Sequence, residues 1–174
     1  VEDGDVEKLK AEVKSNLERE VKRRVQTKLK EQVMELLLQK STLDLPQSLV
    51  AMETERLMKM TEADMQSRGV QTMKLSADMV TGQAERRVRL GLILAEIVQA
   101  HKLTAQPEQI RALIAEQAQS YEEPEQVVQW YYQSRERMQE IESLALEENV
   151  VAWVAGQAKV EDVTTSFEEL MGRA

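Results

Sequence analysis

The sequence predicts an all-α protein. Glycine and proline are scarce, six and three in 174 residues, while 31% of residues are charged. Apolar residues recur at three- and four-residue steps, and no segment alternates as a half-buried strand would. That composition suits helices rather than disorder.

The first helix is expected over about residues 5–39, a stretch without proline or internal glycine. Its apolar positions are Val13, Leu17, Val21, Val25, Leu29, Val33 and Leu37, each four residues after the last. At 3.6 residues per turn each step overshoots by about 40°, so the stripe winds around the helix. Such a helix either meets different neighbours along its length or leaves part of the stripe in water.

"STLDLP" breaks the pattern. Pro46 disfavours helix at Leu45 and can open the second helix, which runs to about Arg68 with Gly69 as its stop. At about 100° per residue, Leu49, Met52 and Met60 share one face with Leu57 at its edge. Met58 and Met65 point nearly the opposite way, so this helix is apolar on two sides. A looser stretch follows to about Leu75, with Ser76 as N-cap of the third helix. There "VRLGLILAEIV", residues 88–98, leaves only a thin polar strip of Glu85, Arg89 and Glu96. That pattern predicts burial among several neighbours, with Gly91 admitting a second backbone closely.

"HKLTAQP" ends the third helix. Ile110, Leu113, Ile114 and Tyr121 then form one amphipathic face. "YEEP" is the next break, with Pro124 at a first helical position, followed by Val127, Val128, Trp130, Tyr131 and Tyr132. The last long helix is expected over about 134–155. Met138, Ile141, Ala145 and Ala152 take one side, and Leu146, Val150 and Trp153 the other. A short helix over Phe167–Met171 closes the chain.

Several chemistries find no support. One histidine and no cysteine leave little for a transition-metal site, and neither a metal nor a cofactor is expected. His101 reads as an exposed loop or helix-end residue. No glycine-rich phosphate loop exists, and the carboxylates of "YEEPE" and "LEEN" read as solvated helix faces. The sequence thus carries no enzyme signature. A net charge of −8 favours solubility and argues against a general nucleic-acid binder. The basic run "REVKRRVQTKLK", residues 19–30, reads as an ordinary charged helix face, with Glu18, Glu20 and Glu31 as partners at helical spacing. No apolar run approaches the roughly 20 residues of a membrane span. The chain opens at Val1 and carries no visible signal peptide, so a fragment or a processed chain is expected.

Two-sided helices are either sandwiched in a core or bury one side and display the other. Displayed apolar patches mark binding surfaces. Methionine, unbranched and polarizable, repacks against many shapes. Several weak patches together would hold an extended chain by multivalency. A helical adaptor or oligomerisation domain with one defined protein partner is the alternative.

In order along the chain, "VEDGDVEKLKAEVKSNLEREVK", "LDLPQSLV", "ERRVRLGLILAEIV", "YEEPEQVVQWYY" and "LALEENVVAWVAGQAKV…TTSFEELM" resemble the C-terminal domain of bacterial trigger factor, a ribosome-associated chaperone. The resemblance covers nearly all 174 residues. It implies an elongated helical body with two protruding helical arms, similar to the periplasmic chaperone SurA. The body would span about 1–45 and 157–174, arm one about 46–104 and arm two about 105–156. It also implies an ATP-independent cytoplasmic chaperone module that binds unfolded or nascent polypeptide in a cradle between the arms. Client contacts carried over from the family fall on Leu57, Met65, Tyr121, Val127 and Trp130. The two-sided pattern adds Met58, Leu146, Val150 and Trp153. A family methionine one turn before the tyrosine is Gln117 here. The family's isomerase domain and ribosome-docking loop are absent from this chain, so neither prolyl isomerisation nor ribosome binding is expected of it. A homodimer through the apolar arms is a further expectation.

Overall fold

A computed structural model describes residues 6–69, 76–119 and 121–172. Among them are seven α-helices and no strand. The chain divides into two compact units, Val1–Met34 with Val151–Ala174, and Glu35–Val150. The divisions fall inside the first and sixth helices.

Helix α1 (Val6–Lys40) buries Val33 and Met34 near its C-terminal end. Farther back, Val13, Leu17 and Val25 are exposed, so the N-terminal half of the winding stripe is solvated. Exposed pairs run along the helix: Lys10 with Glu7 at 3.1 Å, Lys14 with Glu18 at 3.8 Å and Arg24 with Glu20 at 2.9 Å. Each is worth about 0.3–0.5 kcal/mol at most.

Helix α2 (Gln47–Ser67) starts one residue after Pro46, whose carbonyl accepts from the Leu49 and Val50 N–H groups at 3.0 and 3.2 Å. Gly69 sits at φ +72°, the left-handed conformation in which glycine meets no Cβ penalty. Its N–H closes on the Gln66 carbonyl at 3.1 Å, and the stretch 70–75 lies outside the described residues. The helix buries Val50, Thr54 and Leu57. The Thr54 hydroxyl donates to the Val50 carbonyl at 2.8 Å, so its burial leaves no unmet donor.

Helix α3 (Asp78–His101) packs along α2. Leu57, Val80 and Ala84 form one buried cluster, with Met58 against it. Two expectations about α3 are corrected. Ala77, not Ser76, is the N-cap, and no side chain caps this end; Ser76 lies one residue outside and gives its carbonyl to the Met79 N–H. Gly91 is exposed, and a Cβ there would meet nothing within 4 Å, so among the described residues no second backbone uses it. In the run 88–98 Ile93 is buried, Val88, Arg89, Leu90, Leu92, Leu94, Ile97 and Val98 are half-buried, and only Gly91, Ala95 and Glu96 are exposed. Every large apolar residue of that run is at least half covered, as the all-round pattern implies. The helix ends on exposed His101, as expected, with Lys102 left-handed at φ 51°. A non-glycine residue there costs about 1–2 kcal/mol, offset by N–H bonds from Lys102 to Gln99 and from Leu103 to Val98.

Helix α4 (Pro107–Ala118) carries Pro107 in its first turn and buries Ile114 and Ala118. Tyr121 does not extend that buried face, because it lies beyond the helix end and is 61% exposed. Helix α5 (Pro124–Tyr132) opens on Pro124 and packs on α4. Helix α6 (Arg135–Gln157) follows Ser134, whose hydroxyl accepts from the Arg137 N–H at 3.4 Å. It buries Ile141, Ala145, Val150, Val151 and Val154, whereas Ala152, expected on the side of Ile141 and Ala145, is exposed and Leu146 and Trp153, expected beside Val150, are half-buried. Helix α7 (Phe167–Leu170) is capped by Ser166, whose hydroxyl accepts from the Glu169 N–H at 3.2 Å. No helix among the described residues is long and apolar enough to cross a membrane.

Candidate functional site

Helix α5 is the departure from ordinary packing. It carries Val127, Val128, Trp130, Tyr131 and Tyr132 within nine residues, yet none of them is fully buried. Val127, Val128 and Tyr131 are half-buried, and Trp130 and Tyr132 are exposed. A short helix this apolar ordinarily covers such residues, since each large apolar side chain gains about 1.5–3 kcal/mol on full burial.

Its neighbours hold it firmly. The Tyr131 hydroxyl donates to Gln117 Oε1 on α4 at 2.6 Å. Gln117 thus serves as a polar anchor for an aromatic ring. Trp130 meets Tyr131 edge-on, with centroids 5.1 Å apart and planes at 83°. The Arg137 guanidinium from α6 lies over the indole, 3.8 Å from its centroid, and also donates to the Trp130 carbonyl. Trp130 remains 49% exposed although its ring is located by two partners.

The α2–α3 pair builds a second surface. Leu57 is 4% exposed and Val150 on α6 is fully buried; both are core residues rather than surface contacts. The sequence marked them as apolar without fixing which flank of the helix faces inward. Met58, Met65, Leu146 and Trp153 are half-buried. Leu57 and Met58 are brought together, and Trp130 gains the aromatic and cationic partners described above. Trp153 belongs to the unit with α7, whereas the other eight residues belong to Glu35–Val150.

Carboxylates lock the α2–α3 surface. Glu53 accepts from Arg56 Nη2 at 2.8 Å and from Arg87 Nη1 of α3 at 3.3 Å, with its side chain 16% exposed. These bonds, first that from Arg56, hold its carboxyl below the ordinary glutamate value. Glu35, at the end of α1, accepts from Arg86 of α3 at 2.8 Å. That bond, helped by one from Gln39, lowers its carboxyl as well.

A third apolar feature was only half visible in the sequence. A groove of about 650 Å³ is lined by Leu9, Val13, Leu17, Val21 and Phe167, with Lys10, Lys14 and Lys22 beside them. The four-residue spacing pointed to the α1 side of this groove; Phe167 reaches it only through the fold.

The fold and its displayed side chains define the class: an all-α chain whose helices keep aromatic and thioether groups partly outside the core. Residues 5–156 match the family of the bacterial trigger factor protein (TF) C-terminus, and the chain belongs to that family. It is 87% identical to the trigger factor of Thiobacillus denitrificans (strain ATCC 25259 / T1), over 100% of this chain and 40% of that protein. It is 52% identical to the trigger factor of Herminiimonas arsenicoxydans, over 99% of this chain and 39% of the relative. Against the trigger factor of Cupriavidus metallidurans the identity is 53%, over 98% and 38%. The chain therefore spans about 40% of the length of these curated relatives.

Proposed function

We propose that this chain is an ATP-independent chaperone module that holds unfolded or nascent polypeptide by apolar contact, without bond chemistry. The observation that carries the reading is α5, which fully buries none of its five apolar and aromatic residues and leaves Trp130 and Tyr132 exposed. Leaving them partly uncovered is unfavourable for an isolated domain, and an extended client segment relieves it. The contacts we assign are Trp130, Tyr121 and Val127 at the α4–α5–α6 end, Met58 and Met65 on α2, and Leu146 and Trp153 on α6. The half-buried methionines repack against many sequences, while Trp130, located by Arg137 and Tyr131, supplies a rigid anchor. Leu57 and Val150 support these contacts from the core. The reading places the module in the cytoplasm, in a body with two arms, with release driven by weak affinity and by folding of the client.

The test is suppression of aggregation of several unrelated denatured proteins. Met65→Glu combined with Trp130→Glu should weaken client binding about tenfold or more, a loss of about 1.4 kcal/mol, with helix content unchanged. Undiminished protection by the double variant overturns the site assignment. Binding to one native partner with no protection of clients favours the adaptor reading instead.

A further inference from the structure

Helix α2 turns part of its sulfur toward water. Met52 is 67% and Met60 52% exposed, and Arg56 stands between them on the outward face with Leu49. The protein has no cysteine, so its thioethers are the sulfur available to mild oxidants. Arg56 is held in a fixed pose. Its Nε and Nη2 donate to the two carboxylate oxygens of Glu53, each at 2.8 Å. Such a two-point fork sets the guanidinium plane. The remaining nitrogen, Nη1, is directed at Met60 Sδ, 3.8 Å away. A thioether sulfur is a weak acceptor, so in the reduced protein this donor is poorly used. An oxygen on that sulfur would use it fully.

We propose that Met60 is a reversible oxidation site and that Arg56 receives its sulfoxide. The oxidant is a peroxide. A sulfur lone pair attacks one peroxide oxygen and the O–O bond breaks. The departing hydroxide takes the proton of the transferred oxygen and leaves as water. Sulfur loses two electrons and the peroxide gains them. The new S–O oxygen accepts from Nη1, a charge-assisted bond in place of a weak N–H···S contact. Because Nη1 lies on one side of the sulfur, it favours one of the two sulfoxide epimers. Reductases specific for each epimer restore the thioether with electrons from a thiol. The buried flank of α2, with Val50, Thr54 and Leu57, takes no part, so the helix keeps its packing while its outward face becomes polar.

The experiment exposes the 174-residue chain to hydrogen peroxide and follows each methionine by peptide mass. Met60 should oxidise about tenfold faster than Met34, which is 5% exposed, because susceptibility follows access. Samples are then treated with one or the other epimer-specific reductase. One epimer should exceed the other by about threefold at Met60 and by nothing at Met52. In Arg56→Ala the excess at Met60 should vanish, with helix content unchanged. Met52 in the same molecule is a control that needs no variant. Equal epimers at Met60, or Met60 reacting no faster than Met34, overturns the proposal. Client binding enters none of these readouts, so they stand or fall separately from the holdase reading.

Discussion

Gln109 and Asn149 exchange both halves of their side-chain amides. Gln109 Nε2 donates to Asn149 Oδ1 and Asn149 Nδ2 donates back to Gln109 Oε1, each at 3.1 Å. Asn149 also donates to the Thr104 carbonyl at 3.0 Å, and Gln109 to the Ala145 carbonyl at 3.3 Å. The pair ties α4, and the connector before it, to α6.

Asn149→Ala should therefore destabilise the protein by about 0.5–1.5 kcal/mol, because it removes a part-buried amide pair with Gln109 and a bond to the Thr104 carbonyl. Urea denaturation followed by helix signal reads the loss. A change below a few tenths of a kcal/mol would mean that water replaces the pair without penalty.

Stability should fall on acidification through Glu35 and Glu53. Both carboxyls lie below the ordinary glutamate value of 4.5 in the folded chain. Their contribution is complete above that value and is lost as pH drops through the lower folded values. Arg87→Leu removes the α3 partner of Glu53, so it should flatten the slope of stability against pH below about 4.5. Denaturation midpoints across pH 3–6, a range that brackets ordinary carboxylate titration, check this; an unchanged slope would assign the acid sensitivity to other carboxylates.

Leu57→Ala should cost about 2–5 kcal/mol, the range for a large side chain removed from a core, because Leu57 packs with Val80 and Ala84. At temperatures where the variant stays folded, client affinity should match the parent. A direct loss of affinity in the folded variant would make Leu57 a contact after all.

Gly91→Ala should stabilise the protein by about 0.4–1 kcal/mol. The position is helical, its added methyl meets nothing within 4 Å, and alanine is the better helix former. A lower melting temperature would reveal a neighbour that approaches Gly91 in solution.

Arg137→Ala should loosen Trp130. The cation over the indole is worth about 0.5–1 kcal/mol at an exposed site, and its bond to the Trp130 carbonyl goes with it. In a Trp153→Phe background, the remaining tryptophan emission should change in intensity and its anisotropy should fall. Arg137→Lys should restore part of the effect, since a cation remains near the ring without the planar fork.

The helices and their breaks were readable from Pro46, Gly69, Pro107 and Pro124, because each acts through its own backbone. The all-α class followed from the same local signals. The inward flank of a two-sided helix was not readable. On α2 the Leu49–Met52–Met60 face and the Met58–Met65 face look equally apolar in one dimension. Only packing against Val80 and Ala84 shows that the first faces water and that the second lies beside the core. Tyr121 shows the same limit: its spacing matched Ile114, but the helix ended at Ala118. Ser76 and Gly91 failed for another reason. A cap and a close approach depend on a partner's position, which residue type alone does not supply.

The solvated half of the α1 stripe has a calorimetric consequence. Val13, Leu17 and Val25 are already hydrated before unfolding, as are Trp130, Tyr132 and Phe167. Unfolding therefore uncovers less new apolar surface than chain length suggests. The heat-capacity increment should fall short of the usual 12–15 cal/mol/K or so per residue, and the denaturant m-value should be correspondingly small. The stability curve is then shallow, with little penalty on cooling.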